Sequence, residues 1–138
     1  MTTILGDYSA GVLGDYDYTP NIVDPFTFDP VFGAEISTLT SSNTVAVTGD
    51  PFEQPISIVG GEYSIDGGAF TSTAGTFIVG TNSDITVRTT SSASFLTKVI
   101  AILTIDSLDI PFEVTTRIET PSAIAIIRQA LVNLGTLE

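Results

Sequence analysis

The hydrophobic pattern changes its period along the chain. From about residue 24 to residue 117, apolar side chains alternate with Ser, Thr and charged side chains in short runs. This period of two is expected of half-buried strands. Turn residues such as Gly, Asn and Asp interrupt the runs every 8–12 residues or so, a spacing typical of antiparallel sandwiches. The pattern predicts an all-β domain of eight or nine strands with no helix inside it.

The predicted strands are residues 25–28, 43–48, 56–59, 63–65, 69–71, 77–79, 84–89, 98–105 and 108–116. Asp66-Gly67-Gly68 joins two of them, and its glycines supply the positive φ that a tight hairpin turn requires. We therefore expect this turn to be a structural device.

The last stretch, residues 118–138, has a helical period. Thr120 stands as the N-cap, Pro121 at the first helical position and Gly135 at the C-terminal cap. The apolar stripe consists of Ile124, Ile127, Leu131 and Leu134. Other apolar residues lie off this stripe, so the helix is apolar on more than one side. A lone helix of this length needs a surface to pack on, either its own sandwich or another chain.

The first stretch, residues 1–23, contains a near-duplication, ILGDY at 4–8 and VLGDY at 12–16. It is interpreted either as a hairpin or arm on its own domain, or as an arm whose anchors dock on a neighbouring subunit. Tyrosine favours the second role because it buries a large area and keeps a polar group. Asp15 and Asp17 resemble half of a calcium site, but no closing Glu follows.

The amino-acid composition of the chain excludes several kinds of chemistry. The chain has no Cys and no His, which excludes disulfides, thiolate zinc sites, Cys nucleophiles and His-based triads. Asp109 and Glu113 share a strand face, but about 13 Å would separate them, too far for a paired-carboxylate glycosidase site. We therefore predict a protein that is not an enzyme and has no cofactor and no metal site.

The charge is strongly acidic and uneven. The net charge is −12, and no Lys or Arg precedes Arg88. This balance argues against nucleic acid as a partner. The acidity is interpreted as a solubility device, or alternatively as a face for a basic partner or for calcium. No segment has the form of a secretory signal or a bilayer-spanning run, so we predict no membrane contact and a chain that stays where it is made.

Residues 57–71 read SIVGGEYSIDGGAFT, and AGT (74–76), TVR (86–88), TSSAS (90–94), LTID (103–106) and FEVTT (112–116) follow in order. This series resembles a bacterial Ig-like, fibronectin-III-like repeat over about ninety residues. The resemblance implies an Ig-like antiparallel β-sandwich at residues 24–117, used for spacing, display or adhesion, with no catalytic residues. Such repeats usually occur in tandem behind a signal peptide, whereas here one copy has its own arm and helix.

A single Ig-like domain with apolar extensions is similar to the accessory proteins of tailed phages. We therefore expect a virion component, such as a capsid decoration, head-fibre or tail-accessory protein. The partners are then further copies of the chain in a homo-oligomer and other virion proteins. The alternatives are a bacterial surface adhesin module and a carbohydrate-binding module for a host-surface glycan. The predicted interface residues are Leu5, Tyr8, Leu13, Tyr16, Tyr18, Ile124, Ile127, Leu131 and Leu134.

Overall fold

The structure is a computed structural model that describes residues 22–81, 83–121, 123–133 and 135. Nine strands and one helix occur in these residues. The strands are β1 (Val31–Ala34), β2 (Leu39–Ser41), β3 (Val45–Ala46), β4 (Glu53–Val59), β5 (Glu62–Ile65), β6 (Gly75–Ile78), β7 (Asp84–Thr90), β8 (Lys98–Ile105) and β9 (Leu108–Thr116), and the helix is α1 (Ala123–Asn133).

Five strands form one sheet in the order β1-β9-β8-β4-β6. Its centre is the antiparallel β8–β9 pair, in which Leu108 pairs with Ile105 and the ladder runs on to Thr115 and Lys98. β4 pairs with both β8 and β6 in antiparallel register. β1 pairs with β9 in parallel register, so the sandwich is antiparallel except at this edge.

The second sheet is built around β7, which is paired along both of its edges. Arg88 pairs with Ser41 of β2 and also with Glu62 of β5. β5 therefore lies along one edge of β7, while β2 and the short β3 lie one after the other along the opposite edge. Every second side chain of β7 is buried, and these side chains, Ile85, Val87 and Thr89, lie on the inner face.

The two sheets enclose one core, which forms because each long strand buries every second side chain. On β9 the buried positions are Ile110, Phe112, Val114 and Thr116, and on β8 they are Ala101, Leu103 and Ile105. Phe112 is fully buried, and its ring meets Phe28 edge-on at 6.2 Å between centroids. The expected all-β, two-sheet architecture with a short C-terminal helix is confirmed.

Several predicted elements are wrong in detail. Residues 25–28 form no strand, and Phe28 instead inserts its side chain into the core from an unpaired segment. The predicted strand 69–71 is reduced to a bridge between Thr71 and Tyr63. β1 and β2 were not predicted, because Gly33 interrupts β1 and neither strand alternates clearly.

The turn after β5 has positive φ values, as the sequence predicts, but at Asp66 and Gly67 and not at both glycines. Asp66 and Gly67 have φ values of 52° and 73°, and the Gly68 amide donates to the Ile65 carbonyl at 3.0 Å. A Cβ on Gly67 would meet nothing within 4 Å, so the cost of a side chain there comes from its positive φ alone.

We expect Gly67→Val to lower the free energy of unfolding by about 1 kcal/mol or more, because β-branched residues are strained at positive φ. Urea denaturation of the variant beside the original protein measures this change. Ala69→Val is the matched control, since it adds a branched side chain at an exposed neighbouring position. If both variants lost the same free energy of unfolding, the loss in Gly67→Val could not be attributed to the positive φ of the turn.

Helix α1 begins at Ala123, so Pro121 precedes the helix and does not open it. At its other end, Gly135 has a φ of 75° and its amide donates to the Val132 carbonyl at 3.0 Å, as expected of a C-terminal cap glycine. The segment from Ile118 to Pro121, which joins β9 to the helix, is exposed at every residue. The connection is therefore not buried from residue 118 to residue 121.

Candidate interaction surfaces

The chain enters and leaves the sandwich at opposite ends. Val23 bridges Gly49, and the Asp50 amide donates to the Ile22 carbonyl at 2.8 Å, which places the first described residues beside the start of β4. The Asp106-Ser107 turn lies at the same end, because the Asp106 amide donates to the Pro55 carbonyl. β9 runs away from that turn for nine residues, about 30 Å, before the chain reaches α1.

The end where residues 22–23 lie is acidic, and we call it the acidic end. Seven carboxylates lie there without an ion pair to any described residue: Asp24, Asp50, Glu53, Asp66, Asp84, Asp106 and Asp109. Five of them accept hydrogen bonds from the chain itself; for example, the Asp84 amide donates to Asp66 at 3.1 Å and the Thr48 hydroxyl donates to Asp24 at 2.8 Å. No Lys or Arg of residues 22–121 lies at this end, so no basic side chain of the sandwich neutralises its negative charge.

The opposite end, which we call the helix end, carries the basic residues, and each of those in the sandwich is paired. Arg88 binds Glu62, Lys98 binds Glu113 and Arg117 binds Glu35, each at 2.9 Å. Two of the guanidinium groups also lie over aromatic rings, Arg88 over Phe70 at 4.1 Å and Arg117 over Phe95 at 5.0 Å. The three pairs are partly exposed, so they contribute little to stability but leave the helix end nearly neutral.

The outer face of the five-stranded sheet carries an apolar row across three strands. Ile102 of β8 pairs with Pro111 of β9 on one side and with Val59 of β4 on the other. Ile100 lies next to this row along β8. Val59 is 74% exposed, Ile100 46% and Ile102 40%. We call Val59, Ile100, Ile102 and Pro111 the outer apolar row; it is an exposed contiguous patch of the kind that marks an association surface.

Helix α1 is also apolar and exposed. Ile127 is 59% exposed, Leu131 39% and Val132 50%, and every described helix side chain from Ile127 to Asn133 is exposed. Two of the predicted interface residues, Ile127 and Leu131, thus lie together on the surface of this helix. The helix buries neither of them against the sandwich.

The remaining predicted interface residues are not all described. The backbone of Ile124 lies in α1, but its side chain lies outside the described part of the structure. Leu5, Tyr8, Leu13, Tyr16, Tyr18 and Leu134 lie outside the described residues, as do Asp15 and Asp17. The outer apolar row was missed by the sequence analysis, although the registers of β4, β8 and β9 make its members neighbours.

A polar groove of about 670 Å³ lies at the acidic end. Threonine hydroxyls line it together with Asp66, Asp84 and the Gly80-Thr81 turn, and the Thr44 and Thr86 hydroxyls bond each other at 2.6 Å. None of the described residues that line it is aromatic. The groove offers hydrogen bonds but no ring on which a sugar would stack.

Asp109 and Glu113, the carboxylates considered for acid–base chemistry, face the same side of β9 but have separate partners. Asp109 accepts a bond from the Thr104 hydroxyl at 2.8 Å, and Glu113 pairs with Lys98. Within residues 22–81, 83–121, 123–133 and 135, no three His, Cys, Asp or Glu side chains are grouped to hold a metal ion. Among the same residues, no helix has the length and hydrophobicity needed to cross a membrane.

A scan against protein-family models and a search of curated proteins each found no match to this chain. The fold and the surfaces described above are therefore the basis for any functional conclusion.

Proposed function

We propose that this protein is a non-enzymatic structural component of a tailed-phage virion. In this role it displays an Ig-like sandwich as a capsid decoration, head-fibre or tail-accessory protein and is attached through its terminal extensions. The observation that carries the proposal is the contrast between a sandwich that closes its own core and a helix whose described apolar side chains, from Ile127 to Val132, are exposed.

The described part of the sandwich encloses a hydrophobic core of its own. Its buried apolar side chains run from Phe28 to Val114, and fifteen of them form one cluster between the two sheets. None of the helix residues whose side chains the structure describes, 127–133, belongs to this cluster. A helix that exposes Ile127 and Val132 in this way has the properties of an attachment element.

The position of the extensions supports attachment at the ends of the sandwich. The chain enters at the acidic end and reaches α1 at the helix end, so an anchor on either extension leaves the rest of the sandwich free. The unneutralised carboxylates then face solvent or a basic partner. A high negative charge keeps densely arrayed copies of such a module from associating through their displayed surfaces.

Glycan binding is less well supported than a structural role. The two most exposed aromatic side chains of the sandwich, Phe32 at 73% and Phe52 at 51%, lie far apart, Phe32 opposite Thr115 near the helix end and Phe52 beside β4 at the acidic end. They do not form a common platform, and none of the described residues that line the polar groove is aromatic.

The test is to search for this chain in purified phage particles from the host that encodes it, by mass spectrometry and then by immunogold electron microscopy. We expect the protein in the particles, at regular positions on the head or the tail. Its recovery only from the cell envelope would favour the adhesin alternative, and its recovery only as free protein would contradict both.

A further inference from the structure

We infer that the outer apolar row of one copy binds helix α1 of a second copy. This inference rests on the proposed function, because it identifies what one of the attachment elements holds. It joins two exposed apolar surfaces of the same chain into one interface.

The two surfaces match in size. The row of Pro111, Ile102 and Val59 crosses three strands and is therefore about 10 Å wide, close to the diameter of a helix with its side chains. Along β8, Ile100 and Ile102 are separated by roughly 6.6 Å. Ile127 and Leu131 are one helical turn apart, about 6 Å along the axis. A helix lying along β8 would place its side chains beside those of the sheet.

The charges also match. Residues 123–133 contain Arg128 and no acidic residue, whereas residues 22–121 contain twelve acids and three bases, a net charge of −9. On β9, Asp109 and Glu113 face outward on either side of Pro111. Glu113 is paired with Lys98, but Asp109 has no cation among its described partners. The row is thus bordered by a carboxylate that Arg128 of an incoming helix would neutralise.

The distribution of apolar residues around α1 favours a second copy over the helix's own sandwich. Val132 lies about 140° around the helix from Ile127, since each residue turns the helix by about 100°. One sheet face covers a single stripe of a helix. If α1 folded back on its own sheet, one of these two side chains would remain exposed. A helix that lies between two copies contacts two protein surfaces, and the second surface covers the side chain that the first leaves exposed.

The absence of cysteine from the chain permits a direct test by disulfide trapping. One preparation carries Ile102→Cys with one affinity tag, and another carries Ile127→Cys with a different tag. On mixing under mild oxidation, we expect a mixed disulfide between the two tagged chains, identified by mass spectrometry. Thr76→Cys is the matched control, because Thr76 is exposed on the same outer face, on β6, outside the row. It should trap Ile127→Cys at least tenfold less.

The double variant Ile102→Cys, Ile127→Cys separates the two ways of covering the row. A disulfide within one chain, formed in preference to one between chains, would overturn the inference in favour of self-docking. The absence of any trapping above the Thr76→Cys control would also overturn it. Neither result touches the proposed function, which the presence of the protein in phage particles tests separately.

Discussion

Replacing Phe112 with alanine should lower the free energy of unfolding by about 3–5 kcal/mol, the loss typical of a buried phenylalanine. Phe112 is fully buried on β9, which pairs with the central strand of the five-stranded sheet, and the cavity would lie against Phe28. Because domains of this kind are stable by about 5–15 kcal/mol, the variant would lose a large fraction of its stability. Urea denaturation followed by circular dichroism measures the change.

Phe32→Ala is the control for that measurement. Phe32 belongs to the same sheet, on β1, but is 73% exposed, so its removal creates no cavity. We expect a change within about 0.5 kcal/mol for this variant. Similar losses for the two phenylalanines would mean that the core is not where the structure places it.

The long strands were predictable because their burial is local and periodic. β8 and β9 begin and end at the predicted residues, since a strand that faces a core on one side must alternate over its whole length. β1 and the segment around Phe28 follow no such period. β1 is held by its parallel pairing with β9, some eighty residues later, and Phe28 is held by the cavity that it fills. Contacts of this kind leave no local pattern.

The same distinction between local pattern and distant contact applies to the candidate interaction surfaces. The apolar character of Ile127 and Leu131 is visible in the helical spacing. The outer apolar row is not visible, because Val59, Ile102 and Pro111 become neighbours only when the registers of three strands are known. The separation of the acidic end from the helix end also depends on strand direction. Sequence order alone shows only that the basic residues begin at Arg88.

Removing residues 119–138 should release the sandwich as a folded single chain. All fifteen side chains of the core cluster precede residue 119, so the truncated protein should keep its β-type circular dichroism and melt cooperatively, also in the presence of a chelator. Its assembly should be lost, because the exposed apolar side chains of α1 are removed with it. Sedimentation of the two proteins compares their masses directly. An unfolded or calcium-dependent fragment would contradict the independence of the sandwich.

The full-length variant Ile127→Asp, Leu131→Asp tests the same surface without shortening the chain. Placing two carboxylates in an apolar interface should cost at least about 2 kcal/mol per side chain, which weakens association several hundredfold or more. Gln129→Asp, Asn133→Asp is the matched control, since it adds the same charge to the polar side of the helix. We expect a monomeric or non-docking protein from the first variant and near-normal assembly from the control. If the Ile127→Asp, Leu131→Asp variant kept the assembled mass of the original protein, α1 would be ruled out as the attachment element. If this variant and the control dissociated equally, the added charge alone would explain the dissociation.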